Sequence, residues 1–390
     1  MAEIKDDTIS VLMDMTRYYD GMFDLNAMRT HALRRAETLT GNTAGPLDDD
    51  KGFIIEYSTM NHYLYKQIEE GKLSKEALVA ATWEYHGETN IYPFYLWHTD
   101  KVTYRFDPDV EEVLTQQAQS FDEDMEIPAQ VLEYLPHNIF FVKTGTSPLT
   151  KEDRKYVKKR HRNNHLAKGR QLGFFFHYGD VYVSKDGVVS KDPERKCIEF
   201  FVLSRKRDSA EVNVMPVSLI FSKGDTIRSM VGSSVADFLL FGETDEHSAD
   251  YGAEYSLNIS VLRWALQYVL YLCSENAELE QDPVNRQMYR HPTPGFVKNR
   301  PREVLLIDAG KKTGAMIHAF KQKRYEARSA GSATATTRSP HVRRAHWHHY
   351  WTGRLSHPEE RRLVIKWVAP SYIHKEMYEL IRPSVAVVGK

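Results

Sequence analysis

The residues from His341 to Gly353 place four His, two Arg, two Trp and a Tyr within thirteen positions. Imidazole, guanidinium and indole together can stack, donate hydrogen bonds and carry positive charge at one site. Three readings of this block follow. It is packed and hydrogen-bonded inside the fold, it is a binding surface for peptide or nucleic acid, or it holds a metal. For the last, His341 and His346 are five apart, and His346 and His348 share one face of a strand. No Cys lies nearby, and Glu359 and Glu360 fall in a loop-like stretch. A catalytic zinc site needs three placed ligands and an open position, so no metal is expected here.

Two short patterns suggest acid–base chemistry on RNA. Arg160 precedes His165, and Arg343 precedes His348, with four residues between each pair. An Arg can stabilise phosphate charge while a His moves a proton. Both copies lie in basic, His-rich runs where such a pattern arises by chance. Residues 151–170 hold nine Lys and Arg against two acidic residues. Lys155, Lys158, Lys159, Arg160 and Arg162 would form a solvated helix face, or a patch for RNA phosphates or an acidic partner. Gly310-Lys311-Lys312-Thr313 ends like a phosphate loop, but the upstream Gly is missing. There is no Gly-x-Ser-x-Gly turn for a serine nucleophile.

Several elements must position these residues. Leu363 to Val368, closed by Ala369-Pro370, reads as a strand that returns along the His/Trp block as a hairpin. Phe174–Val183, Ile198–Leu203 and Val212–Phe221 read as successive antiparallel strands, with a turn at Lys185-Asp186-Gly187. Helices are expected over 5–40, 58–70, 74–85, 109–121 and 226–241. A further helix over 256–276 is apolar almost all round, which places it at the centre. The fold class is therefore α+β, an antiparallel sheet packed around a buried helix with a mainly helical N-terminal region. The expected division is 1–125 (acidic, helical), 126–330 (α+β core), 331–338 (an uncharged flexible linker) and 339–390 (the basic, aromatic block completing the core).

The 390 residues are enough for a large core, and 42% apolar with 27% charged composition excludes a disordered chain. The near-zero net charge hides an asymmetry. Residues 1–126 carry 11 Lys and Arg against 25 Asp and Glu, and the rest carries 41 against 28. Either the halves dock on each other or the basic part faces an acidic partner. Cys197 and Cys273 are too few for a disulfide framework. The start, Met1 to Asp7, lacks an apolar segment, and no run approaches the roughly 18 apolar residues of a membrane span. A cytoplasmic protein without membrane contact is expected.

In chain order, several segments resemble the second described family of type V-A anti-CRISPR proteins. Ile127-Pro128 through Leu135-Pro136 and then Ile139-Phe140-Phe141-Val142 look like its central leucine–proline and strand element. Leu172-Gly173-Phe174-Phe175-Phe176 looks like its next strand. Ser218-Leu219-Ile220-Phe221 with Thr226 to Phe241 looks like the following strand–helix step, and Tyr268 to Cys273 like its buried helix. The most specific match is His341, Arg343, Arg344, His346, Trp347, Tyr350, Trp351 and Gly353, followed by Trp367 and Pro370. The resemblance runs from about Met125 to Ile373. It implies a protein of phages or other mobile elements in a bacterial host cell that evades host defence by disabling the type V-A effector nuclease. It further implies that the effector's N-terminal segment is recognised during synthesis and that its mRNA falls, with the ribosome or mRNA as further partners. Such a binder needs no cofactor and no catalytic residue. It calls for a groove for an extended peptide, which Phe174, Phe176, Trp347, Trp351 and the neighbouring basic residues would line. The alternative is an RNA-binding regulator or a His/Arg-dependent ribonuclease of a mobile element.

Overall fold

In a computed structural model of the chain, the residues described are 8–40, 62–74, 91–98, 100–120, 126–149, 154–155, 169–185, 188–205, 212–232, 248–281, 304–329 and 341–373. The centre is a seven-stranded sheet in the order β5-β4-β3-β2-β1-β7-β6. Its strands are β1 (Val102–Phe106), β2 (Ile139–Lys143), β3 (Arg170–Lys185), β4 (Val188–Arg205), β5 (Val212–Ser222), β6 (Leu279–Gln281) and β7 (Leu305–Ala309). The three long strands expected from the sequence form a continuous antiparallel meander, with Phe176 opposite Phe200 and Phe200 opposite Val217. The class is α+β with a mostly antiparallel sheet, as expected. The sequence reading did not anticipate β1, which pairs parallel with β2 on one side and β7 on the other. Val102, Thr103 and Tyr104 are all buried, so this strand lacks the alternation that reveals one with a wet face.

Alternation along the strands creates two apolar faces. Tyr104, Phe140, Phe174, Phe176 and Phe200 point to one, and Phe141, Phe175 and Phe201 to the other. The first face packs against α4 (Pro108–Ala118) and α5 (Ser248–Cys273). From α5, Trp264 and Tyr268 meet Phe174 edge-on at 5.2 and 5.8 Å between ring centroids. Helix α5 is the apolar central helix of the sequence analysis, and Cys273 at its end is buried, which pushes its thiol pKa up. The second face is covered by α1 (Thr8–Phe23), α2 (Leu25–Thr40), the helical residues 62–69 and α3 (Ile91–Trp97). Phe94 and Trp97 of α3 sit edge-on to Phe175 at 5.0 and 5.7 Å, and the Trp97 indole donates to the Val102 carbonyl at 2.8 Å.

Helix α6 (Lys311–Ser329) follows β7 and lies beside α4. Lys321 of α6 pairs with Asp109 at 2.7 Å and with Glu112 at 2.5 Å. The acidic early part of the chain and the basic later part thus meet within the fold at this point. The 74–85 helix falls almost wholly outside the described residues, as do the Asp186-Gly187 turn and the 331–338 linker. Of the 226–241 helix only 226–232 is described: Thr226 forms a β-bridge with Pro128, and 227–232 is helical.

At Gly173 the backbone has φ +145° and the β3–β4 register shifts. A Cβ there would drive into the Val142 carbonyl oxygen and lie 2.6 Å from the Phe141 ring. Gly173→Ala should therefore cost on the order of 3 kcal/mol in urea unfolding. Gly21→Ala, in open space on α1, should instead add about 0.5–1 kcal/mol. Equal effects of the two would show that the close approach at Gly173 is not tight.

Candidate functional site

The His/Trp block folds as the expected hairpin. Strand β9 (His346–Thr352) runs antiparallel to β10 (Arg362–Val368), with Trp347 opposite Trp367 and His348 opposite Lys366. Just outside it, β8 (His341–Arg343) pairs with β11 (Ser371–Ile373). Period-two alternation divides the block into two populations with different jobs.

Trp347, Leu363, Ile365 and Trp367 point inward and join the core beside α5. Each buried indole N–H has a partner. Trp347 donates to Gln267 of α5 at 2.9 Å, and Trp367 donates to Gln117 of α4 at 3.0 Å. Asn276 then holds the Trp367 backbone from both sides, donating to its carbonyl at 2.9 Å and accepting from its N–H at 3.0 Å. Burial of an indole is favourable only when its N–H is satisfied, so these amides fix the hairpin's seat.

The opposite face holds His346, His348, Tyr350 and Lys366. His348 stacks on Tyr350 at 5.6 Å, and the Lys366 ammonium lies 5.3 Å from the Tyr350 ring centre. Glu275, just past α5, accepts a hydrogen bond from the Tyr350 hydroxyl and pairs with Lys366 at 3.3 Å. The Tyr350 bond and then Lys366 hold the Glu275 carboxyl below its usual range. Trp351 is 55% exposed, with the Arg361 guanidinium 5.6 Å from its ring centre. Arg343, Arg344 and His346 are exposed as well.

The structure therefore separates the residues singled out in the sequence. His346 and Tyr350 lie on the outer face of the hairpin, Trp351 lies exposed on the other face near its turn, Arg343 and Arg344 precede β9, and Trp347 and Trp367 anchor the hairpin. His341 belongs to β8. Phe174 and Phe176 are fully buried under α5 and open onto no groove. Lys155 is exposed, whereas Lys158, Lys159, Arg160 and Arg162 lie outside the described residues, as does His165. Among the described residues, His357, Glu359 and Glu360 come within metal-ligand spacing of one another, all on the surface.

A second feature was not legible in the sequence. Strands β1, β2 and β7 run parallel and end side by side, and α4 and α6 begin at the same edge. A crevice of about 530 Å³ opens there, lined by Arg105, Phe106, Asp107, Pro108, Glu111, Lys143, Thr144, Gly145, Asp308 and Lys311. Asp308 is nearly inaccessible and bonds Arg105 Nε and Lys311 Nζ, each at 2.5 Å. Burial would raise its pKa, but these two cations overcome that and hold it below its usual range. Glu111 is pushed up to about 8 by burial, against hydrogen bonds from Thr144 and Gly145. The phosphate-loop-like Gly310–Thr313 lies at the start of α6. Gly310 supplies the turn at φ +76°. The helix N–H groups of Lys312 and Thr313 donate to the Glu278 carboxylate at 3.1 and 3.0 Å, so an internal residue caps α6.

An α+β scaffold with a mostly antiparallel sheet thus seats an aromatic, basic hairpin firmly against its core. Residues 104–375, more than two thirds of the chain, match the AcrVA2-like family, the anti-CRISPR type V subtype A2 family. The chain belongs to this family and is an anti-CRISPR protein directed at the type V-A effector. No curated protein matches it. Among the described residues no helix is long and apolar enough to cross a membrane.

Because Glu111 binds its proton more tightly folded than unfolded, its contribution to stability is full below the usual Glu range near 4.5. That contribution is lost as pH rises towards and through about 8. Glu199, also raised by burial, acts in the same direction. Glu111→Gln should therefore flatten the decline in unfolding free energy between about pH 5 and 8, leaving only the remainder due to groups such as Glu199. An unchanged slope in denaturant titrations across that range would show that Glu111 is ionised in the fold.

Proposed function

We propose that the protein blocks production of the type V-A effector nuclease by recognising the effector's N-terminal segment as it is synthesised and lowering its mRNA. In this reading it acts as a binding protein and not as an enzyme. The observation that carries the reading is the β9–β10 hairpin, a rigidly seated element that presents exposed Trp351 with Arg361 at its turn end and exposed His346, next to Arg343 and Arg344 in the chain, at its other end. Exposed aromatic surface with interspersed cations suits an extended peptide, where rings take side chains and charged groups anchor carbonyls or carboxylates. The same cations, with Lys155 and its basic neighbours, favour a location near ribosomal or messenger RNA. Family membership supports the target, and the match includes this hairpin.

The test is co-expression with a type V-A effector gene, quantifying effector protein and mRNA, beside a control whose N-terminal coding segment is changed. Loss of both, relieved by the changed segment, supports the reading; unchanged levels overturn it. Trp351→Ala combined with Arg344→Ala should restore effector protein several-fold while the variant stays folded. Trp367→Ala should fail by unfolding, at a cost of about 3–5 kcal/mol.

His348 gives a further distinction. On a binding surface, His348→Asn keeps a hydrogen-bonding side chain of similar reach and should retain most of the effect. Complete loss with His348→Asn, in a variant shown to be folded by circular dichroism, would instead favour a His-dependent ribonuclease.

A further inference from the structure

We propose that the free edge of β9 takes an extended peptide as a third strand, gripping its main chain while His349 and Trp351 meet alternate side chains. This deepens the proposed function and rests on it, since the occupant is the effector's N-terminal segment. The ribbon's two edges differ. Strand β10 has both sides of its backbone in use. It pairs with β9 on one side. On the other, the Ile365 carbonyl accepts from the Glu275 N–H at 2.9 Å, and Asn276 bonds both the N–H and the carbonyl of Trp367. In an antiparallel ladder a residue's N–H and C=O point to one side, and that side alternates along the strand. Ile365 and Trp367 therefore face away from β9. Their partners His349 and Trp347, and Trp351 two residues on, must in turn aim their N–H and C=O groups away from β10. Among the described residues none of these groups has a partner: β9 pairs with β10 alone, and no other backbone bond reaches the three. A row of unpaired backbone groups is a template for another strand. His349 and Trp351 are exposed, so a strand can reach the row.

Side chains decide the occupant. A peptide residue bonded to His349 or Trp351 carries its own side chain on their face. There the Trp351 indole and the His349 ring are exposed, a shelf for every second side chain of the peptide. The side chains between fall beside His346, His348 and Tyr350 on the opposite face. Arg343 and Arg344 at the start of β9, with Arg354, Arg361 and Arg362 at its end, outnumber Glu359 and Glu360. A second copy would pair antiparallel about a twofold axis and lay the start of one β9 beside the end of the other, cation against cation. A neutral or acidic segment with apolar side chains at alternate positions meets no such repulsion.

The test uses the full chain and a synthetic peptide of the effector's N-terminal segment, with affinity measured by calorimetry. N-methylation of the peptide, one position at a time, removes one N–H each time. Affinity should fall on the order of tenfold at every second residue of the bound stretch and little between. On the protein, His349→Pro removes an N–H that β10 does not use, and its ring obstructs the edge. It should keep the circular dichroism spectrum and bind about tenfold more weakly than His349→Ala, which retains that N–H. Should His349→Pro unfold, the N-methyl series decides alone. No binding of the unmodified peptide, an N-methyl profile without alternation, or equal affinities of the two folded His349 variants overturns the proposal. So does a dimer of the free chain that His349→Pro dissolves, which would seat a second copy on this edge. If co-expression still lowers effector protein and mRNA in any of these cases, only docking on β9 fails; unchanged effector levels sink the proposed function itself.

Discussion

A sheet that is apolar on both faces must be covered twice, and the rest of this structure follows from that demand. Phe174, Phe176 and Phe200 on one face cannot stay in water, nor can Phe141, Phe175 and Phe201 on the other. Helix α5 answers on the first face with Trp264 and Tyr268. The N-terminal helices answer on the second with Tyr19, Phe94 and Trp97. The result is a middle layer that no small movement can expose. Functional groups are therefore confined to its edges and to what is attached outside it.

The β9–β10 hairpin is the main attachment. A two-stranded ribbon alone is marginal in water, and this one is held by two indoles sunk beside α4 and α5. The buried amides Gln117 and Gln267 exist in otherwise apolar surroundings because each indole N–H would be costly without a partner. Asn276 adds a backbone clamp that sets register as well as position. Rigid seating lets the outward residues keep a fixed spacing.

At the opposite extreme lies the crevice, where polar groups are drawn together by backbone direction. Parallel strands bring Arg105 and Asp308, more than two hundred residues apart, within 2.5 Å. Next to them, Thr144 and Thr146 meet the Tyr268 hydroxyl at 3.1 and 2.8 Å, and Trp264 donates to Thr146 at 3.1 Å. This satisfied network explains how polar side chains reach the core without penalty.

The meander β3–β5, the central helix α5 and the hairpin were legible in the sequence, because each carries its own period: alternation in the strands, continuous apolarity in α5, and a Pro-terminated strand after the His/Trp block. The family signature was legible for the same local reason. Short, fully buried β1 carries no period, and β7 depends on it, so the parallel centre stayed hidden. With it went the crevice, whose members come from three separate segments. The sequence by itself determined which residues could stack, bond and carry charge at the C-terminal block. Only the tertiary structure decided that Trp347 and Trp367 turn inward while His346 and Tyr350 turn out, and that Trp351, on the same face as Trp347, stays exposed, because a side chain's direction is set by strand pairing and its burial by how far the core extends beneath that face.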